Sequence, residues 1–147
     1  MNHRSLSAVA IIATLVAIPI ASADARPGRR HPVLEPTTIE DWRAARMDGT
    51  GCYWSARTGG PVLFAAAGRT AVTRIAGRVV TLAPARRATE MFPWTYDAWT
   101  FRSLTIRIID GRAARAIGYE SVTTDATVIV SKDGRVTRMR GSMICGS

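Results

Sequence analysis

Two cysteines, one histidine beyond residue 3 and a handful of separated carboxylates are the groups in this sequence that could do bond-making chemistry. Hydrolysis by a serine or cysteine nucleophile needs a histidine held rigidly beside it. His31 sits among Pro27, Pro32 and Pro36, in a stretch with little to hold it. Zinc needs converging Cys, His and carboxylate ligands, and calcium needs clustered oxygens. The sequence has no CxxC or HxxxH, and its acids are scattered. Gly59-Gly60 opens no helix, so it is no phosphate-cradling loop. A pair of carboxylates could run glycoside chemistry without histidine. Glu90, Asp97 and Glu120 are the acids left for it, and nothing in their spacing sets two face to face. No catalytic residue, metal ligand or cofactor is therefore expected, and a carboxylate-based glycan hydrolase is the remaining enzymatic alternative. Cys52 and Cys145 read as a disulfide pair if the chain works in an oxidising compartment, where an even count forms bridges.

Recognition chemistry is better represented. Residues 92–101, FPWTYDAWTF, hold five of the ten aromatics found beyond residue 23. Aromatic faces anchor interfaces and stack on sugars. Phe92, Trp94 and Tyr96, with Arg86 and Arg87 just upstream, are the expected binding residues. Trp99 and Phe101 open a strand and are expected in the core.

The start of the chain supplies the compartment. His3 and Arg4 precede an uncharged apolar run, residues 7–21, and Ala21-Ser22-Ala23 fits a small-x-small cleavage site. Residues 1–23 read as a signal peptide cut after Ala23, with a periplasmic or secreted destination. Loss of Arg4 with the leader leaves 19 Lys+Arg against 11 Asp+Glu, a formal charge of +8. Such a charge favours anionic partners. Export points to an anionic envelope component or an envelope protein and away from nucleic acid. No transmembrane helix is expected in the mature chain.

The elements that must carry these residues read as mainly β. Residues 24–36 form a Pro/Arg linker, expected to be disordered. A short helix is expected over 38–48, capped by Thr37 or Thr38, with Ile39 and Trp42 packed on a sheet. From Gly51 onward, short β-type runs alternate with turn signals. Strands are expected at Cys52–Ala56, Val62–Ala66, Thr70–Ile75 and Arg78–Leu82. A three-residue loop between the last two would oppose Ile75 to Val79 and Val72 to Leu82. Residues 99–109 read as one long strand whose apolar parity switches, which requires a β-bulge near Arg102-Ser103. Asp110-Gly111 signals a hairpin into a strand at Arg112–Tyr119, and Asp133-Gly134 signals another. Across the second, Val128 opposes Met139, Val130 opposes Thr137, and Ala126 opposes Gly141. If Cys52 bonds Cys145, the first and last strands adjoin. The expected fold is then a single antiparallel β-barrel of about eight strands over residues 37–147, or a barrel-like sandwich.

Cys52 in GTGCYWS, the run ATVIV before Asp133-Gly134, and the terminal GSMICGS together resemble the C-type lysozyme inhibitor (MliC-like) family of small periplasmic β-proteins. The resemblance implies an eight-stranded barrel that blocks a muramidase with surface loops, and no loop residue is carried over from it. The first functional expectation is an exported, non-enzymatic envelope binding protein. It would contact an acidic glycan, lipid head group or protein through the aromatic/Arg loop, with a lysozyme-inhibitor-like protein as the alternative.

Overall fold

A computed structural model of the chain describes residues 31–47, 49–92, 95–111 and 113–146. The expected signal peptide and Trp94 lie outside the described residues. In chain order the elements are α1 (Ile39–Ala44), β1 (Gly51–Ser55), β2 (Phe64–Ala67), β3 (Thr70–Ile75), β4 (Arg78–Pro84), β5 (Glu90–Phe92), β6 (Thr95–Tyr96), β7 (Ala98–Phe101), β8 (Leu104–Asp110), β9 (Arg115–Ala116), β10 (Val122–Lys132) and β11 (Arg135–Gly146).

Eight of the strands close a ring. The order runs β11-β1-β2-β3-β4-β7-β8-β10, and β10 pairs back onto β11. Every pairing is antiparallel. Closure removes the exposed edges that an open sheet would present. Its seam is the β1–β11 pair, where Cys52 faces Cys145 and the two are bonded, 93 residues apart in sequence. β5 and β6 form a separate small hairpin, and β9 lies on β10 at Val122 and Thr123, past the end of β8.

Period-2 alternation sorts each strand into an inner and an outer row. The inner rows supply the core, including Cys52, Trp54, Phe64, Ala71, Leu82, Trp99, Ile106, Val128, Val130, Met143 and Cys145. Trp54 is fully buried, and its indole N–H donates across the interior to the Ala126 carbonyl at 3.1 Å. It fits because Gly141, paired with Ala126, has no side chain; a Cβ there would come within 2.7 Å of the Trp54 ring and would also strike the Ser55 carbonyl. Trp99 makes edge contacts with Phe64 and Tyr96.

One outer stretch is buried too. Ala65 and Val72 pair directly, on the rows that face away from the barrel core, and both are fully buried. α1 lies over this side: Trp42 packs on Tyr53 of β1 at 5.1 Å, and Asp41 holds Arg74 of β3 at 2.9 Å. Thr38 caps the helix in a reciprocal capping box with Asp41. The helix is shorter than residues 38–48, and Ile39 is 55% exposed, not packed on the sheet as its spacing suggested. Only about two turns form, and the face they bury is taken by Asp41 and Trp42.

Asp41 also sets a pH dependence. Burial pushes its carboxyl up, but the bonds from the Arg74 guanidinium and the Thr38 backbone N–H outweigh this and hold it below the ordinary aspartate value. A group lowered in the folded state contributes stability above its unfolded pKa and loses it as pH falls through the lower folded value. Asp41→Asn is expected to cost about 1–2 kcal/mol at neutral pH, discounted for the partial exposure of Arg74. It should also flatten the acid side of the stability curve, measured by urea unfolding from pH 7 to pH 3; a curve parallel to wild type would exclude this role.

Four expectations are corrected. The β3–β4 loop has two residues, Ala76-Gly77, so Ile75 opposes Arg78 and Val72 opposes Thr81. Ala76 and Gly77 both adopt positive φ, the twist-matched turn for a tight hairpin. This turn geometry prevails over apolar-to-apolar pairing and leaves Val79 on the outer row, 42% exposed. Residues 99–109 form no single bulged strand. Arg102 enters the left-handed region at φ 52°, and Arg102-Ser103 is a two-residue turn joining β7 to β8. The parity switch comes from the turn, since Trp99 and Ile106 then sit opposite one another on the inner rows. Asp110-Gly111 makes no tight hairpin: β8 is followed on the barrel by β10, and among the described residues of the expected strand only Arg115–Ala116 pairs, while Arg112 lies outside them. The end of the expected linker, Leu34 and Glu35, is held on the barrel, while residues 24–30 lie outside the described residues. β2 begins only at Phe64, opposite Thr73, and the Glu35 N–H bonds the next residue of β3, Arg74, at its carbonyl. Leu34, on the other side of that segment from Glu35, is 3% exposed and joins the core.

Candidate functional site at the barrel mouth

Antiparallel alternation sends the β3–β4, β7–β8 and β10–β11 turns to one end of the barrel. Each is a two-residue turn whose first residue is left-handed: Ala76, Arg102 and Asp133. A two-residue turn fixes the pair that closes it. The closing pairs are Ile75 with Arg78, Phe101 with Leu104, and Lys132 with Arg135. All three fall on the inner rows, in register with Thr73, Trp99 and Val130 respectively. The hairpins thus bring six side chains from distant parts of the sequence to one mouth, three of them cationic and three apolar.

These six line a cavity of about 1250 Å³, together with Val80, Arg102, Ser103, Asp133 and the His31–Glu35 stretch. That exceeds the roughly 300–1,000 Å³ of ordinary ligand pockets, as suits an open cleft. Its floor is apolar: Leu104 is 3% and Ile75 8% exposed. Its rim is cationic, with Arg78, Arg102, Lys132 and Arg135. The two carboxylates are engaged. Asp133 accepts from Lys132 Nζ and from the Ser103 hydroxyl, both at 2.7 Å. Glu35 accepts from the Gly77 N–H at 2.8 Å. Among the described residues, neither ion pair includes Arg78, Arg102 or Arg135. Phe101 is 43% exposed at the rim and not in the core as its strand position suggested, because it is the last residue before the β7–β8 turn, and the Arg102 guanidinium stands over its ring at 5.1 Å. One rung inward from Arg135 on β11, Thr137 Oγ1 is buried and finds no hydrogen-bond partner among the described residues. A buried hydroxyl of this kind calls for a partner.

The aromatic/Arg loop lies at the opposite end, where β4 hands over to β7. Arg86 and Arg87 are exposed on a turn closed by the Ala88 N–H to the Ala85 carbonyl. Tyr96 is half-buried, its ring edge-on to Trp99 at 5.6 Å. The cation over that ring is Arg69, from the β2–β3 turn, at 5.9 Å. Phe92 ends β5. Tyr96 is thereby turned onto the core, while the two arginines stand in solvent. Asp97 is taken up locally, its carboxylate accepting from the Thr89 N–H at 2.7 Å. Glu90 and Glu120 are exposed.

Among the described residues no three of His, Cys, Asp and Glu converge as metal ligands, and no helix is long and apolar enough to cross a membrane. Sequence reading missed the mouth. The available signal was the recurrence of a cation or a large apolar residue at both positions flanking a two-residue turn. Compared with known proteins, the chain matches no family model, no curated protein and no solved structure.

Proposed function

We propose that this protein is an exported, non-enzymatic binding protein of the cell envelope whose barrel mouth takes an anionic envelope component. The observation that carries the reading is the set of three hairpin-closing pairs, which put three cations and an apolar floor on one concave surface. Guanidinium groups bind phosphate or carboxylate in bidentate fashion. The apolar floor favours a ligand whose anionic group adjoins a hydrophobic part. The leader-like N-terminus and the disulfide support an oxidising, extracytoplasmic setting. The remainder of the interior is filled with core side chains, so ligand contact belongs to the mouth and not to a deep channel.

Titration calorimetry with a short-chain phosphatidylglycerol, kept below its micelle concentration, tests this. Saturable binding is expected, and Arg78→Gln/Arg135→Gln should weaken it about tenfold or more. Arg78 is exposed and Arg135 only half-buried, so the variant should fold, as an unchanged unfolding midpoint would verify. Equal affinity in wild type and variant would overturn the reading. The lysozyme-inhibitor alternative shares the barrel architecture and predicts slowed cell-wall lysis by a C-type lysozyme at stoichiometric protein. Basic lysozymes would be repelled by a chain of this charge, which favours the first reading.

A further inference from the structure

On the barrel side away from α1, the outward residues of three neighbouring strands form a pattern. On β8, β10 and β11, three outward rows run across the strands: Thr105-Ser131-Val136, Arg107-Ile129-Arg138 and Ile109-Thr127-Arg140. Ile109, Ile129 and Val136 fall on a diagonal across the three strands. Ile109 is 44% and Val136 54% exposed. Arg107 flanks the diagonal on one side, and Arg138 and Arg140 flank it on the other; all three are exposed. None of the nine residues is acidic; the exposed Asp125, the next outward position on β10, marks the end of the patch beside Arg140. The outward positions of the adjoining β7, Ala98 and Thr100, add no carboxylate. Neither ion pair among the described residues involves these arginines.

We propose that this face docks the protein onto an anionic lipid bilayer. Strand spacing and rise make the patch about 10 Å by 13 Å. Three guanidinium groups spread over that area project outward from an open sheet face and not into a concave pocket. They match separate phosphates in a plane of head groups. The aliphatic diagonal between them would rest at the head-group level. Each arginine near an anionic surface strengthens attachment roughly fivefold, so three give a weak, reversible association and not an anchor. Docking by this side leaves the mouth, at the end of the barrel axis, open to ligand. The inference is independent of ligand binding at the mouth, because its residues point outward and those of the mouth point inward.

Co-sedimentation with phosphatidylglycerol-containing vesicles, against pure phosphatidylcholine vesicles, tests it in the disulfide-bonded protein. Binding is expected to the first only, and to fall as salt rises. Arg107→Gln/Arg138→Gln/Arg140→Gln should weaken partitioning about 100-fold. The control Arg43→Gln/Arg46→Gln/Arg57→Gln removes the same charge from exposed positions elsewhere and should stay within a few-fold of wild type. Ile109→Ser/Val136→Ser should weaken binding without any change of charge. Equal losses in the two triple variants would mean diffuse attraction and overturn the proposal, as would absence of binding by wild type. Loss confined to Arg78→Gln/Arg135→Gln would place membrane contact at the mouth and overturn it too. The calorimetric titration uses a monomeric ligand with the face intact, so the two readings fail separately.

Discussion

Opening the Cys52–Cys145 bond is expected to lower the unfolding free energy by about 4–5 kcal/mol, the largest effect of any single change in this chain. The bond spans 93 residues, and cross-linking so long a loop removes much of the conformational freedom of the unfolded chain. In the folded state the same two strands are also held by five register pairs, Gly51–Gly146 through Ser55–Ser142. Cys52→Ser/Cys145→Ser should therefore keep the barrel but unfold at much lower urea. Comparison of the two proteins by circular dichroism through a urea series measures this. A shift worth less than about 1 kcal/mol would mean that closure rests on hydrogen bonding and packing alone, and the seam would lose its assigned role.

Trp54→Ala is expected to cost about 3–5 kcal/mol, the second largest effect. The side chain is wholly buried and reaches from β1 over Gly141 to the Ala126 carbonyl. Its loss removes a large aromatic and leaves that carbonyl short of a donor. Gly141→Ala attacks the same arrangement from the other side, driving a methyl into the indole, and should cost about 1–3 kcal/mol. The two substitutions should not add. With the indole gone, the added methyl still meets the Ser55 carbonyl, the nearer contact, but no longer the ring, so part of its cost should be relieved in the Trp54→Ala background. Urea unfolding of the four proteins closes the cycle, and strict additivity would show that the indole does not lie over Gly141.

Local chemistry accounts for what could be read from the sequence. Asp133-Gly134 is a strong turn signal flanked by long alternating runs, and Val128–Met139, Val130–Thr137 and Ala126–Gly141 pair in the expected register. The cysteine count alone placed the first and last strands side by side. The Arg102-Ser103 turn was illegible because neither residue belongs to the types that favour positive φ, so Trp99 to Ile109 read as one strand. Leu34 was illegible because prolines and arginines surround it, and only the late start of β2 gives it a place to pack. The mouth is legible in no single segment. Ile75 and Arg78, Phe101 and Leu104, and Lys132 and Arg135 meet only after eight strands close, and closure depends on pairings between residues far apart in the chain. For the aromatic loop, composition showed an unusual density of rings but not which way they turn. Tyr96 turns inward because Trp99 offers it an edge contact.

The most direct test of the mouth as the binding site is backbone amide NMR of the disulfide-bonded protein, titrated with short-chain phosphatidylglycerol below its micelle concentration. The expected result is a set of saturable shifts confined to the three turns and their closing pairs, Ile75–Arg78, Phe101–Leu104 and Lys132–Arg135, with the β5–β6 hairpin unmoved. Shifts centred on Arg86, Arg87 and Tyr96 at the far end, with the three turns silent, would contradict the assignment.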